Sequence, residues 1–227
     1  KEPNVLVLAI PPKSVEYYLK SILRSKNIKT LIVEKPICET PEKSKQFIDK
    51  IESKGINIFC PFIFRFNTWF LELDSFLKHS KEPIINIDWF FKADHFKFEK
   101  DNWKKDHKQG GGPLRFYGIH LIAVLAELGY ITSRQSLDNE AYMGVFIKEN
   151  YPDVILRINT NSHDKPLFKI GKLVYRMTPF DRVNKDMQDY RVSNLIDFLS
   201  YIELYPNQLK EITNNTIELW TQVEKQI

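Results

Sequence analysis

The chain has 227 residues, room for one large domain or two small ones with a sizeable core. Its 43% hydrophobic and 27% charged residues exclude wholesale disorder, and its net charge of +4 is spread among interleaved lysines and acids, as in Glu42-Lys43-Ser44-Lys45, which excludes a nucleic-acid footprint. Two cysteines, Cys38 and Cys60, without metal-ligand spacing exclude a disulfide scaffold, and no apolar run approaches the ~18 residues of a membrane span.

In chain order, the apolar run Val5 to Ile10 predicts a strand buried on both faces of a parallel sheet. Pro11-Pro12 ends it, and Ser14 is the expected cap of a helix whose inner positions are Val15, Tyr18, Leu19, Ile22 and Leu23. Lys29 to Glu34 predicts a second buried strand. Thr40 caps a second helix with Pro41 at its first position, an inner stripe of Phe47, Ile48 and Ile51, and Gly55 as its stop. Ile56 to Cys60 predicts a third strand, so the alternation is β-α-β-α-β with right-handed crossovers.

After Pro61 the rhythm changes. Thr68 to His79 reads as a helix, Ile84 to Lys92 as a longer strand, and Asp94 to Gln109 as a polar loop leading into Gly110-Gly111-Gly112. Ile119 to Leu128 is apolar nearly all round, a buried helix. Ala141 to Lys148, Asp153 to Thr160 and Pro166 to Met177 predict strands of a mostly antiparallel sheet, and helices near Asn194 to Tyr201 and Pro206 to Lys225 close the chain. The fold class is α/β plus α+β: a partial Rossmann-type parallel sheet over residues 1–61, then a mostly antiparallel sheet with helices over residues 62–227.

Specific motifs ride on this frame: Ala9-Ile10-Pro11, Glu34-Lys35-Pro36 at a strand end, Phe64-Arg65-Phe66, Trp103-Lys104, and Gly110-Gly111-Gly112-Pro113-Leu114 with Gly118-Ile119-His120. In this order they resemble the glucose–fructose oxidoreductase/inositol dehydrogenase (Gfo/Idh/MocA) family, from Val5 to Leu128. The resemblance implies NAD or NADP as cofactor and hydride transfer at a hydroxyl-bearing carbon of a sugar, cyclitol or nucleotide sugar. It also implies self-association through the antiparallel sheet. Pro11, Pro12, Glu34 and Lys35 are the implied cofactor-side residues. Trp103, Lys104 and His120 are the implied substrate-side ones, with Lys35 and His120 catalytic. No nucleic acid, membrane or metal enters this expectation, and the expected location is cytoplasmic.

Three departures stand out. The chain has no G-x-G-x-x-G turn, the family's amide cradle for pyrophosphate at a helix N-terminus. The expectation is that on the order of 60 residues precede Lys1, about two βαβ units sharing a strand. Phe116 stands where the family pattern has Asp, and Val15 where members often have His.

The individual residues admit two readings each. Lys35, at the carboxyl end of a parallel strand, is placed to hold a substrate hydroxyl and stabilise its alkoxide, or is a strand-end lysine balanced by Glu34. His120 is a proton acceptor with an ordinary pKa near ~6.5, or a core histidine bonded to backbone. Gly110 to Gly112 lets backbone approach a ligand closely or acts as a hinge before a helix start at Pro113. Trp103 stacks on a ligand or is structural. Arg65 reads as an ion-pair anchor between the two parts, and Tyr17-Tyr18 and Trp89-Phe90-Phe91 as core or interface aromatics. Because Phe116 cannot transfer a proton, the second function is a non-catalytic relative acting as a binding or scaffold subunit.

Overall fold

The computed structural model describes residues 4–175 and 190–227. Strands β1 (Val5–Leu8), β2 (Thr30–Val33) and β3 (Asn57–Phe59) form a parallel sheet in the order β1-β2-β3, with helices α1 (Pro12–Arg24) and α2 (Pro41–Glu52) as crossovers. The expected double-sided burial holds for β2, whose Leu31, Ile32 and Val33 are buried, and fails for β1. There Val5 and Val7 are 45% and 59% exposed, because β1 pairs only with β2 among the described residues and forms the sheet edge.

Helix α2 begins as expected: Thr40 Oγ1 accepts a hydrogen bond from the Lys43 amide at 3.3 Å, and Phe47, Ile48 and Ile51 are buried. Helix α1 does not. Pro12 occupies its first position with no side-chain cap, and Ser14 lies inside the first turn with its amide donating to Pro11 O at 2.8 Å. Val15 and Ile22 are buried, but Tyr18 and Tyr17 point outward, 42% and 82% exposed, so this aromatic pair is not core.

The second part opens with α3 (Thr68–His79) and β4 (Ile84–Phe90), followed by a short helix α4 (Asp94–Lys97). Two 3₁₀ turns (Trp103–Lys105 and His107–Gln109) and a π-helical segment (Pro113–Gly118) lead into α5 (Ile119–Glu127). Strands β5 (Ile131–Leu137), β6 (Ala141–Ile147), β7 (Asp153–Asn159), β8 (Leu167–Ile170) and β9 (Leu173–Tyr175) join β4 in a six-stranded sheet of order β5-β6-β7-β4-β8-β9. Every pair is antiparallel except β4 with β7, which is parallel, so the sheet is mixed. The single strand expected over residues 166–177 is a hairpin turning at Gly171 (φ +55°), and its expected end at Met177 lies outside the described residues. Helices α6 (Tyr190–Leu204) and α7 (Pro206–Glu224) follow.

One face of the larger sheet supplies Trp89, Tyr142, Phe146, Leu156 and Phe168 to a core that continues into the smaller sheet. Helix α7 packs on α5, α2 and β3, so the last element of the chain holds the two sheets together. The opposite face of the larger sheet is open, with Ile84, Met143, Ile147 and Val174 exposed beside the Arg157–Asp88 ion pair (2.7 Å). No helix among the described residues is long and apolar enough to cross a membrane.

Candidate functional site

Lys35 directly follows β2, whose pairing is extended by the Glu34 amide donating to Leu8 O at 2.9 Å. This places Lys35 at the carboxyl end of the parallel sheet, the end at which open α/β sheets hold ligands. Its ammonium donates to the backbone carbonyl of Phe116 at 2.6 Å and lies 3.9 Å from the centroid of the Phe116 ring. Burial lowers its pKa from 10.5 to about 8, Lys104 pushing in the same direction and Glu34 and Cys60 against it. The ring of Phe116 therefore cups the lysine, and the carbonyl of the same residue fixes its direction.

The glycine triplet brings the second part onto this end of the sheet. Its turns are capped locally: Asn102 Oδ1 accepts from the Lys104 amide at 3.0 Å and Asp106 Oδ1 from the Lys108 amide at 2.9 Å. Gly110 has φ +86°, and a Cβ there would come within 2.9 Å of Pro12 Cγ. A Cβ on Gly111 would collide with the Trp103 carbonyl. These glycines serve close approach of the chain to itself, to Pro12 and to the Trp103–Lys104 backbone, where the sequence suggests a ligand or a hinge. Trp103 meets the Phe116 ring edge-on at 5.2 Å, and Lys104 Nζ lies 5.1 Å from the same ring. Pro12, Lys35, Trp103, Lys104 and Phe116 are therefore brought together. Glu34 borders them, its Oε2 accepting from the Lys35 amide at 3.2 Å, and Pro11 precedes α1 at the neighbouring strand end.

His120 is buried, stacked on Phe64 at 4.4 Å with an interplanar angle of 12°, and Phe62 meets its edge. His120 is thus a core histidine, as its second reading has it, but its Nδ1 is buried without the hydrogen-bond partner that reading supplies, among the described residues. Burial first, and the charge of Lys35 second, hold its pKa well below 6.5. The ordinary value expected from sequence is corrected: the imidazole is neutral throughout the physiological range. Its coupling to Lys35 puts the two residues of the expected pair in one electrostatic environment.

Arg65 is the anchor its sequence context suggested, but its bidentate partner is Glu127 on α5 (2.7 and 3.0 Å), within residues 62–227 and not across the two parts. Cys38 and Cys60 are buried thiols, Cys38 pushed up to about 12 and Cys60 well above its ordinary value by desolvation, so neither supplies a thiolate. No group of His, Cys, Asp or Glu among the described residues is arranged to hold a metal ion. A cleft of about 670 Å³ opens beside Trp103, lined also by Phe96, Asp106, Gln109, Asn139 and Glu140. It shares Trp103 with the Lys35 cluster but does not include Lys35 or His120.

Two features were not anticipated. Phe64, read only as part of a motif, is the plate on which His120 rests. Arg115 and Glu224 form a buried bidentate pair (2.7 and 2.9 Å) that ties α7 to the segment carrying Phe116. The only sequence signal for the second was Arg115, a charge in an otherwise apolar stretch; Glu224 lies in a polar one and carried no signal.

No family model matches the chain, and no curated protein does. Solved structures do match. The WlbA (WbpB) dehydrogenase from Thermus thermophilus, in complex with NAD and UDP-GlcNAcA, is similar over 95% of this chain and 70% of its own (TM-score 0.67, 16% identity). The WlbA dehydrogenase from Bordetella pertussis, in complex with NADH and UDP-GlcNAcA, is similar over 99% of this chain and 77% of its own (TM-score 0.70, 11% identity). KijD10, a 3-ketoreductase from Actinomadura kijaniata in complex with NADP, is similar over 98% and 78% (TM-score 0.68, 10% identity). At these identities the likeness establishes the fold: a Rossmann-like parallel sheet joined to a mixed six-stranded sheet, as in dehydrogenases that carry nicotinamide dinucleotides.

Proposed function

We propose that the chain is an NAD(P)-dependent oxidoreductase acting at a hydroxyl-bearing carbon of a sugar, cyclitol or nucleotide sugar. Residues 1–61 belong in this reading to the cofactor-binding part and 62–227 to the substrate-binding part. The carrying observation is Lys35: an ammonium at the carboxyl end of a parallel strand, aimed by a carbonyl 2.6 Å away, with its pKa lowered to about 8.

The residues present fit the nicotinamide end of the cofactor. Pro11, Pro12, Glu34 and Lys35 lie at the carboxyl end of the parallel sheet, where open α/β sheets hold ligands, and Gly110 packs against Pro12 at its border. When bound there, NAD(P) supplies or accepts the hydride. Lys35 donates a hydrogen bond to the substrate oxygen and stabilises it as charge develops. Neutral His120 is the acceptor of the hydroxyl proton in the oxidative direction, a weak base that the neighbouring lysine charge makes weaker still, while the same charge favours loss of the proton from the bound hydroxyl. Trp103 and Lys104 wall the substrate side. The open face of the larger sheet, with Met143 and Ile147, is the proposed self-association surface; a purely monomeric species in analytical ultracentrifugation would remove that assignment.

Phe116 favours a second reading, a non-catalytic relative that binds ligands without turnover. A panel of polyols, free sugars and nucleotide sugars, followed by reduced-cofactor absorbance alongside calorimetric titration of NAD and NADP, separates the two. Dinucleotide binding with turnover supports the oxidoreductase, and sugar binding without any turnover supports the second reading. Absence of dinucleotide binding would discard the first.

A further inference from the structure

We propose that the substrate of this site carries an anionic group, a carboxylate or a phosphate, close to the hydroxyl it presents to Lys35, and that Lys104 selects for it; this rests on the oxidoreductase reading. Two ammoniums share one aromatic ring. Lys35 Nζ is 3.9 Å and Lys104 Nζ 5.1 Å from the Phe116 centroid. The ring attracts each cation through its quadrupole but cancels neither charge, whereas a carboxylate at this position would neutralise one of them.

The surroundings compensate these charges only in part, the charge of Glu34 acting on Lys35 more strongly than that of Lys104. Glu34 acts on Lys35 from a distance, and its Oε2 accepts from the Lys35 amide at 3.2 Å. The adjacent Lys105 is paired with Asp101 at 3.0 Å, while neither Lys35 nor Lys104 forms an ion pair among the described residues. His120 is neutral and buried, so it adds neither a countercharge nor a competing cation. Mutual repulsion with Lys104 is one of the forces lowering the Lys35 pKa, and an anion seated at the two ammoniums relieves it. The neighbouring cleft has the opposite sign, with Asp106 and Glu140 in its lining beside the Asp101–Lys105 pair. An anionic end is thus directed to the lysines, and the uncharged hydroxylated remainder toward the cleft and the Trp103 ring.

The test compares matched ligands that differ in one group: methyl glucoside with methyl glucuronide, and glucose with glucose 6-phosphate. Both kcat/KM and, by calorimetry, Kd are measured on the wild type, on Lys104→Gln and on Phe116→Asp. The wild type is expected to favour one anionic member by roughly tenfold or more, as a charge-assisted contact does. Preference in the first pair assigns a carboxylate, and in the second a phosphate. Lys104→Gln, at an exposed position, and Phe116→Asp, which supplies an internal carboxylate, both bring the ratio close to one. A wild-type ratio near one, or no binding of any of the four, overturns the proposal, and a ratio unchanged in Lys104→Gln removes Lys104 from it. Preferential anion binding with no turnover leaves the anion site standing while the oxidoreductase reading falls.

Discussion

Lys35→Met is expected to lower kcat by about 10²- to 10⁴-fold, the range associated with a positioned proton-transfer or charge-stabilising group, while the chain remains folded. The folding half of this expectation follows from the environment. Lys35 is destabilised in its charged form by burial, and its pKa is depressed from 10.5 to about 8. Between those two values the unfolded chain holds more protons than the folded one, so native stability rises with pH across that window. Methionine keeps the stem volume and removes the charge, so the variant melts at or above the wild-type temperature at pH 7 and loses that rise. The catalytic half has its own signature. If the ammonium is the working form, wild-type kcat/KM is flat below neutrality and falls with a midpoint near pH 8. No acid limb from His120 appears near its ordinary value, because that ring is held neutral. Steady-state rates across pH together with thermal melts check both halves. Unchanged turnover in Lys35→Met would take the residue out of the mechanism.

How much of this was legible beforehand depended on range. Strand β2 and the position of Lys35 at its end were readable, since a continuous apolar run ending in Glu-Lys-Pro is a local signal. The Thr40–Pro41 helix start and the exact span of α3 were readable for the same reason. Strand β1 was read as buried on both faces because its residues are as apolar as those of β2; among the described residues it pairs on one side only. Strand β5 went unread because Ile-Thr-Ser-Arg-Gln-Ser-Leu is a polar edge strand without alternation strong enough to register. In the site, the absence of a carboxylate at position 116 was visible, but what replaces it was not. A backbone carbonyl and a ring face reaching Lys35 across 81 residues leave no mark in composition or spacing. Likewise, His120 carried an ordinary pKa on paper, and only its burial against Phe64 and beside Lys35 reveals a ring that stays neutral.

The largest effect on stability is expected at Glu224, far from Lys35 in sequence and tied to it through one segment. Near the end of α7 its carboxylate accepts from Arg115 Nε and Nη2 at 2.7 and 2.9 Å and from Trp220 Nε1 at 2.8 Å, with His107 Nε2 at 3.5 Å. Arg115 also donates through Nη1 to His107 O at 2.9 Å. Both side chains are close to nine-tenths buried, at 10% and 12% exposure. Glu224→Ala would leave a guanidinium buried without its counterion, a loss of about 3–5 kcal/mol. Burial is the largest single force and raises the Glu224 pKa, but the hydrogen bonds from Arg115, His107 and Trp220 together with the Arg115 charge outweigh it and hold the value down at about 2. The folded pKa is thus below the unfolded one. The contribution is present above the unfolded carboxylate value of 4.5 and is lost as pH falls through about 2. Urea denaturation at pH 7 should show the deficit in Glu224→Ala, and the gap to wild type should narrow toward pH 2. A gap that is absent at pH 7, or constant with pH, would mean the pair is balanced by its own desolvation. The consequence reaches the site because Arg115 precedes Phe116. Once the 107–116 segment is free of α7, the carbonyl that aims Lys35 loses its fixed position, so turnover falls in the variant even at temperatures where it remains folded.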